Sequence, residues 1–166
     1  MIKSVGAQYM IVGHSDNRSE GDTDIMLKSK VENSLKNKLK VVFCIGENKT
    51  DKMKNRTFKV LKKQIENVLE KKFNHKDIIV AYEPIWSIGT GKVPEAKDLL
   101  KTTIFIKKVL KKIFKKPNSP AVLYGGSIDA ENVSQFKNLN EIDGFLIGGA
   151  SKSDKKFIDI IKNYYK

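Results

Sequence analysis

Glu83 is the residue whose position in this chain best fits a catalytic base. The apolar run Ile78–Tyr82 leads directly into it, and Pro84, Trp86 and a Gly-Thr-Gly sequence at 89–91 follow. A strand that delivers one carboxylate at its end, beside a loop with stiff ends and a glycine-rich tip, is typical of a base under a mobile lid. The alternative is an ordinary surface glutamate followed by a long turn.

His14 is the second candidate, because it follows the apolar run Tyr9–Val12 almost directly. A histidine there can polarise a carbonyl, transfer a proton, or only hydrogen-bond to the backbone, and the sequence leaves these roles open. The other histidine, His75, lies in a Lys/Asn-rich turn where we expect it to be exposed. Two histidines without further ligands at metal spacing predict no metal site.

Two glycine-rich turns could hold an anion. The first is Gly125-Gly126-Ser127 and the second is Gly148-Gly149-Ala150-Ser151, each at the end of an apolar run. Glycines let the backbone approach a ligand, and the N–H groups that open a following helix suit a phosphate. The alternative is two ordinary tight turns, but their position at consecutive strand ends favours phosphate binding.

The elements that must position these residues alternate between strand and helix. The apolar runs are short and continuous, as in strands covered on both faces, and helical patterns separate them. Such alternation predicts an α/β fold with one parallel sheet, as a single domain over residues 1–166. Polar and glycine residues gather after each strand, at the edge where parallel folds bind ligands. The five predicted strands are Tyr9–Val12, Lys40–Ile45, Ile78–Tyr82, Ala121–Tyr124 and 144–147.

The helical patterns predict core-facing stripes and no cofactor-binding sequence. Thr23 is the expected cap of the first helix, and Ser151 or Ser153 of the last. The stripes are Leu27, Val31, Ser34 and Leu35; Phe58, Leu61, Ile65, Val68 and Leu69; Leu99, Leu100, Thr103, Ile104, Leu110, Ile113 and Phe114; Val133 and Phe136; and Phe157, Ile158, Ile161 and Tyr164.

Composition excludes several classes of protein. The chain has 166 residues, 40% hydrophobic, with no apolar stretch near membrane-spanning length and no export signal at its start. The single cysteine, Cys44, lies in an apolar run, which predicts a small core residue and a cytoplasmic location. The formal charge of +13 comes from lysines scattered over helical polar faces, so we expect no nucleic-acid partner.

The sequences YMIVGHSDNR, VVFCIGE, YEPIWSIGTGK, LYGGSI and FLIGGAS resemble the triosephosphate isomerase family, in the same order and over the whole chain. The resemblance implies an incomplete TIM (β/α)8 barrel of about five parallel strands, the family's fourth to eighth. It also implies interconversion of dihydroxyacetone phosphate and glyceraldehyde 3-phosphate, without cofactor or metal. The full-length family is a homodimer.

The resemblance also assigns roles to residues. Glu83 would be the base and His14 the neutral electrophile. Tyr124 and Ser127 would hold the lid shut, and Glu47, which could pair with Arg18, would support the site. The implied phosphate grip is Gly89, Ser127, Gly148 and Gly149; the implied lid is Pro84, Ile85, Trp86, Ile88, Thr90, Gly91, Lys92, Val93 and Pro94; the remaining supporting residues are Ser15 and Asp16.

The chain departs from the family in two respects. A complete barrel takes eight strands and about 250 residues, so the first three βα units, with an Asn and a substrate-binding Lys, lie outside the resemblance. Asp16 and Asn17 stand after His14 where the family usually has Glu and Arg, and Asp16 is one methylene shorter than Glu. Five strands leave two open edges, so three hypotheses stay open. The chain is active once an N-terminal fragment or self-association completes it; it is an inactive remnant; or it binds phosphate ligands or polyanions without turnover.

Overall fold

The structure is a computed structural model that describes residues 2–166. Its centre is a single sheet of five parallel strands, whose spatial order is the same as their order in the chain. This confirms the predicted α/β class and the first four strands at their predicted bounds. The strands are β1 (Tyr9–Val12), β2 (Lys40–Ile45), β3 (Ile78–Tyr82), β4 (Ala121–Tyr124) and β5 (Gly144–Phe145).

Helices connect successive strands, and their buried residues share one core cluster with one face of the sheet. Short 3-10 helices occupy Ile2–Val5, His75–Asp77, Val133–Phe136 and Gly149–Lys152. The α-helices are α1 (Ser15–Ser19), α2 (Asp24–Lys36), α3 (Lys49–Met53), α4 (Thr57–Val68), α5 (Ala96–Phe114) and α6 (Asp154–Tyr165).

The two faces of the sheet have different surroundings. Side chains alternate between faces along a strand, so Phe43 and Val80 pack into the main core with the helices, whereas Cys44 and Ala81 lie on the opposite face in a smaller cluster. All four are fully buried. The continuous apolar runs therefore serve a sheet with a helix-covered outer face and an apolar inner face.

Two predicted helix starts and most of the predicted stripes are confirmed. The Thr23 hydroxyl accepts the Met26 N–H at 3.3 Å, and the Ser153 hydroxyl accepts the Lys156 N–H at 3.4 Å. Phe58 in α4, which is 44% exposed, was wrongly assigned to the core, and so was Ile104 in α5. Ile104 is 48% exposed, whereas Ile106 is fully buried, because the 3.6-residue period places the second isoleucine with the rest of the stripe.

The last predicted strand and helix differ from expectation. β5 ends at Phe145 rather than Ile147, because β4 itself ends at Tyr124, the partner of Phe145 in the ladder. In α6 the predicted core stripe is largely exposed: Phe157, Ile158 and Ile161 range from 37% to 47% exposed, and Ile160 is the buried residue. Within the described residues no element covers that face of α6.

Within residues 2–166, neither β1 nor β5 has a strand paired to its outer side. Ile11 on β1 is 48% exposed, and an apolar groove beside β5 lies between Phe145, Ile147 and Tyr164. Parallel strands are normally covered on both faces and paired on both sides. No helix among residues 2–166 combines the length and hydropathy needed to cross a membrane.

Candidate active site

Glu83 and His14 face each other at the carboxyl edge of the sheet. His14 Nε2 lies 3.7 Å from Glu83 Oε1, which is close but too long for a hydrogen bond. Glu83 follows the central strand β3 and is 3% exposed, whereas a third of the His14 side chain is exposed. The structure thus brings the predicted base and the predicted electrophile together.

The hydrogen bond of His14 indicates which ring nitrogen carries the proton of the neutral imidazole. His14 caps α1, and its Nδ1 accepts the Asp16 backbone N–H at 3.3 Å. Nδ1 therefore has no proton in the neutral imidazole, and Nε2 carries it. The Asp16 carboxylate lies 3.5 Å from Nδ1 but is 84% exposed, so its main contact with the imidazole is through the backbone.

Burial raises the pKa of the Glu83 carboxyl above its usual value. A charge on His14 would oppose this shift, as the Cys44 thiol and the Ser15 backbone N–H do, whereas Asp16 adds to it. A carboxylate with a raised pKa is a stronger base. Cys44 is fully buried, which confirms the prediction of a small core residue, and burial raises the pKa of its thiol well above the usual value.

The two glycine-rich turns share one cavity with this pair. The cavity encloses about 250 Å³, and His14, Glu83 and Gly89 line it together with residues of both turns. A Cβ at Gly125 would lie 2.7 Å from Glu83 Cγ, so a larger residue there would displace the Glu83 side chain. The further lining residues are Ile11, Ile88, Gly126, Ser127, Ile128, Leu146, Ile147, Gly148, Gly149 and Ala150.

The loop after Glu83 is attached at its first end through Glu47. This carboxylate is fully buried and accepts hydrogen bonds from Trp86 Nε1 at 2.9 Å and from the Tyr82 hydroxyl at 3.1 and 3.2 Å. Burial and the Glu47 charge raise the pKa of Tyr82 well above its usual value, so the phenol stays a donor. The Glu47 carbonyl also accepts the Ile85 N–H at 3.0 Å.

The tip of the loop is shaped by backbone geometry and short polar contacts. Gly89 and Gly91 have φ values of +68° and +71°, which favour glycine. The Thr90 hydroxyl donates to the Ser87 carbonyl at 3.1 Å and accepts the Lys92 N–H at 3.2 Å. Ile88 and Gly89 line the cavity, whereas Thr90 and Gly91 are exposed to solvent. The loop is therefore a wall of the cavity.

Tyr124 contacts the loop through Ser87, a residue that the sequence pattern did not single out. Its hydroxyl lies 3.1 Å from the Ser87 hydroxyl, which donates to the Lys92 carbonyl at 2.6 Å. Burial raises the pKa of Tyr124 to about 12. Ser127 lies across the cavity, where its carbonyl accepts from Asn132 at 3.2 Å. Ser87 is fully buried, and only its place inside the loop could have indicated this role.

The predicted Glu47–Arg18 pair is wrong. The Trp86 and Tyr82 donors occupy Glu47, and Arg18 instead donates to the Gly13 carbonyl at 2.8 Å and to the Cys44 carbonyl at 3.1 Å.

Gln64 is a further supporting residue that sequence reasoning missed. Its side-chain amide accepts from Gly46 N at 2.9 Å and donates to Gly46 O at 3.0 Å, immediately before Glu47. A glutamine on a helix gives no sequence signal of such a contact.

The described part of the cavity wall has no cationic side chain. Neither lysine nor arginine lines the cavity within residues 2–166. The same residues contain no cluster of three or more groups suited to a metal ion.

Parallel βα units, with Glu83, His14 and two glycine-rich turns gathered at the carboxyl edge of the sheet, define part of a (β/α)8-barrel protein. Comparison with known proteins narrows this class. The family model for triosephosphate isomerase matches residues 1–164, and the chain belongs to that family.

Similar proteins carry the same name. A triosephosphate isomerase from Thermodesulfovibrio yellowstonii is 38% identical over 164 residues, covering 98% of this chain and 67% of the relative. One from Ruthia magnifica is 42% identical over 166 residues with the same coverage, and one from Finegoldia magna is 39% identical over 173 residues, covering all of this chain and 68% of the relative. The chain spans about two thirds of the length of the relatives it matches.

Proposed function

We propose that residues 2–166 carry the catalytic edge of a triosephosphate isomerase, which interconverts dihydroxyacetone phosphate and glyceraldehyde 3-phosphate. The observation that carries the proposal is the 3.7 Å approach of His14 Nε2 to Glu83 Oε1 in a cavity lined by both glycine-rich turns. The family membership of the chain supports the same activity.

In the proposed reaction, the Glu83 carboxylate removes a proton from the carbon beside the carbonyl and returns it to the neighbouring carbon. Between these steps the substrate is an enediolate, and the N–H at His14 Nε2 donates to its oxygens. Nε2 gives its proton to one enediolate oxygen and takes the hydroxyl proton from the other, so His14 is neutral again at the end of the step. Protons and electrons balance within the substrate, so this reaction needs no cofactor.

The glycine-rich turns and the loop have separate roles in this proposal. Backbone N–H groups around Gly148 and Gly149, with Ser127 and Gly89, receive the phosphate. The loop from Pro84 to Pro94 excludes water, because an exposed enediolate would eliminate its phosphate.

We further propose that the active form has strands covering both β1 and β5. The apolar groove beside β5 and the exposed Ile11 support this. The cation that an anionic substrate requires would come from the covering part, since the described lining has none. A homodimer, as in the family, and a cytoplasmic location belong to the same proposal.

Turnover by the 166-residue chain and by a chimera tests the proposal. In the chimera, the part of the Thermodesulfovibrio yellowstonii relative outside the match completes the chain. We expect the chimera to exceed its Glu83→Gln variant by about 10²–10⁴-fold, the usual contribution of a general base, and its His14→Gln variant by a smaller factor. The chain alone should equal its own Glu83→Gln variant. A folded chimera as slow as its Glu83→Gln variant would contradict the proposal.

Phosphate binding without turnover is the second candidate function, favoured by the two turns that share the cavity. It predicts that phosphoglycolate binds the chimera with the same affinity after Glu83→Gln and His14→Gln, while the unsubstituted chimera shows no turnover. A chimera with neither turnover nor binding would instead indicate an inactive remnant.

A further inference from the structure

Arg18 is a cation that lies behind the active site rather than in it. It follows His14 by one turn of α1, and its side chain is 16% exposed. It lies outside the cavity lining, so it does not touch a bound substrate. Its contacts are with the backbone that carries the two catalytic side chains.

The Nε and Nη2 groups of Arg18 bind two carbonyls at the point where β1 and β2 separate. The β1–β2 ladder ends at the pair Val12 and Phe43, and the next residue on each strand is Gly13 or Cys44. Arg18 Nε donates to Gly13 O at 2.8 Å, and Nη2 donates to Cys44 O at 3.1 Å. One edge of the planar guanidinium thus joins the strands where their backbone pairing stops.

The surroundings of Arg18 fit this bridge closely. Gly13 has φ +78°, and a Cβ there would lie 3.1 Å from both Arg18 Nη2 and Cys44 O. The guanidinium carbon lies 5.7 Å from the centre of the Phe43 ring, and Nη1 lies 3.5 Å from Asp24 Oδ1. Glycine at 13 therefore leaves room for an arginine held on three sides.

Both joined carbonyls are adjacent to the catalytic pair. The Gly13 carbonyl belongs to the peptide bond that leads into His14. The Cys44 side chain lies against Glu83, where its thiol influences the pKa of the carboxyl. Arg18 thus reaches the pair through the two backbone carbonyls that it binds, rather than through a direct contact with the Glu83 carboxylate.

We propose that Arg18 is a positioning residue, which sets the distance and orientation of His14 relative to Glu83 by bridging the Gly13 and Cys44 carbonyls. The proposal rests on the proposed isomerase for its catalytic consequence. Lysine keeps the charge but has no fork of donors and cannot bridge the carbonyls. Arg18→Lys should therefore be nearly as defective as Arg18→Met.

The first test needs no activity. The ¹⁵N resonances of the His14 imidazole report the proton on Nε2 and the hydrogen bond at Nδ1 in the 166-residue chain. His75→Gln assigns them, since the chain has two histidines. We expect Arg18→Lys and Arg18→Met to weaken the Nδ1 signature of a hydrogen-bond acceptor, while the amide spectrum stays folded. Arg56→Lys and Arg56→Met, at the exposed second arginine, should change nothing.

The second test uses the chimera described above. Arg18→Lys should lower kcat by about 10–100-fold, the scale of a misplaced catalytic group, with little change in KM or in the pH profile. Guanidinium added to Arg18→Ala should restore part of kcat. If the chimera proves inactive, the imidazole signals still decide the positioning role.

Three results would overturn the proposal. One is an unchanged His14 imidazole in both folded Arg18 variants. Another is full activity of Arg18→Lys, which would show that charge alone matters. The third is loss of the folded amide spectrum in both variants, which would make Arg18 a general stabiliser of the fold.

Discussion

The middle of the sheet and its two edges contribute differently to the site. Strands β2 and β3 are buried on both faces and position Glu83 and Glu47. His14 follows the edge strand β1, and the second glycine-rich turn follows the edge strand β5. Glu83 is therefore held by a core that the described residues complete, whereas His14 and the second glycine-rich turn lie at edges that these residues leave open.

The largest difference in stability should lie between a substitution on the central strand β2 and one on the edge strand β1. Phe43→Ala empties a fully buried site, which should lower the free energy of unfolding by about 3–5 kcal/mol. Ile11→Ala, on half-exposed β1, should cost about 1 kcal/mol or less. Urea unfolding of both variants measures the difference, and equal losses would mean that β1 is packed as tightly as β2.

Glycine substitutions sharpen the same contrast. A Cβ at Gly46 would lie 1.8 Å from the Glu83 carbonyl oxygen, so Gly46→Ala should cost about 3 kcal/mol or more. Gly148→Ala meets nothing within 4 Å and should leave stability nearly unchanged while weakening anion binding. Thermal unfolding and phosphoglycolate titration of the two variants test this. A stable, normally binding Gly46→Ala variant would contradict the structure.

The donors to Glu47 allow a comparison within one cluster. Tyr82→Phe removes a buried donor to a carboxylate and should cost about 1.5–3 kcal/mol, whereas Trp86→Phe, on the loop, should cost about 1 kcal/mol. Because Trp86 is the single tryptophan, its fluorescence reports whether the loop moves in Tyr82→Phe. A larger loss of stability in Trp86→Phe than in Tyr82→Phe would contradict this prediction, because it would make the hydrogen bond from the loop the stronger of the two.

The smallest effect concerns the ionisation of Glu83. Its pKa is higher in the folded than in the unfolded chain, so folding favours the protonated carboxyl. The stability this contributes is complete below the ordinary carboxyl pKa and is lost as the pH rises through the raised value. Glu83→Gln should therefore stabilise the chain near pH 7 more than near pH 4. Unfolding curves at both pH values check the sign, and a gain confined to low pH would contradict the burial argument.

Patterns along the chain predicted the elements that depend on local periodicity. The four longer strands, the Thr23 cap and the meeting of Glu83 with His14 at one edge follow from alternating strands and helices. Contacts formed by long polar side chains did not follow, because Arg18 and Gln64 could reach several partners. The exposed stripe on α6 also escaped prediction, since its apolar period is the same whether or not a neighbour covers it.

Phosphoglycolate titration of the 166-residue chain, followed by ¹H–¹⁵N NMR, tests the central claim that the described residues already assemble the site. We predict weak binding, with shifts together at residues 125–127, at residues 148–149 and at the His14 imidazole, and with the same residues shifting at higher salt. Shifts confined to scattered surface lysines, and abolished by salt, would contradict the account.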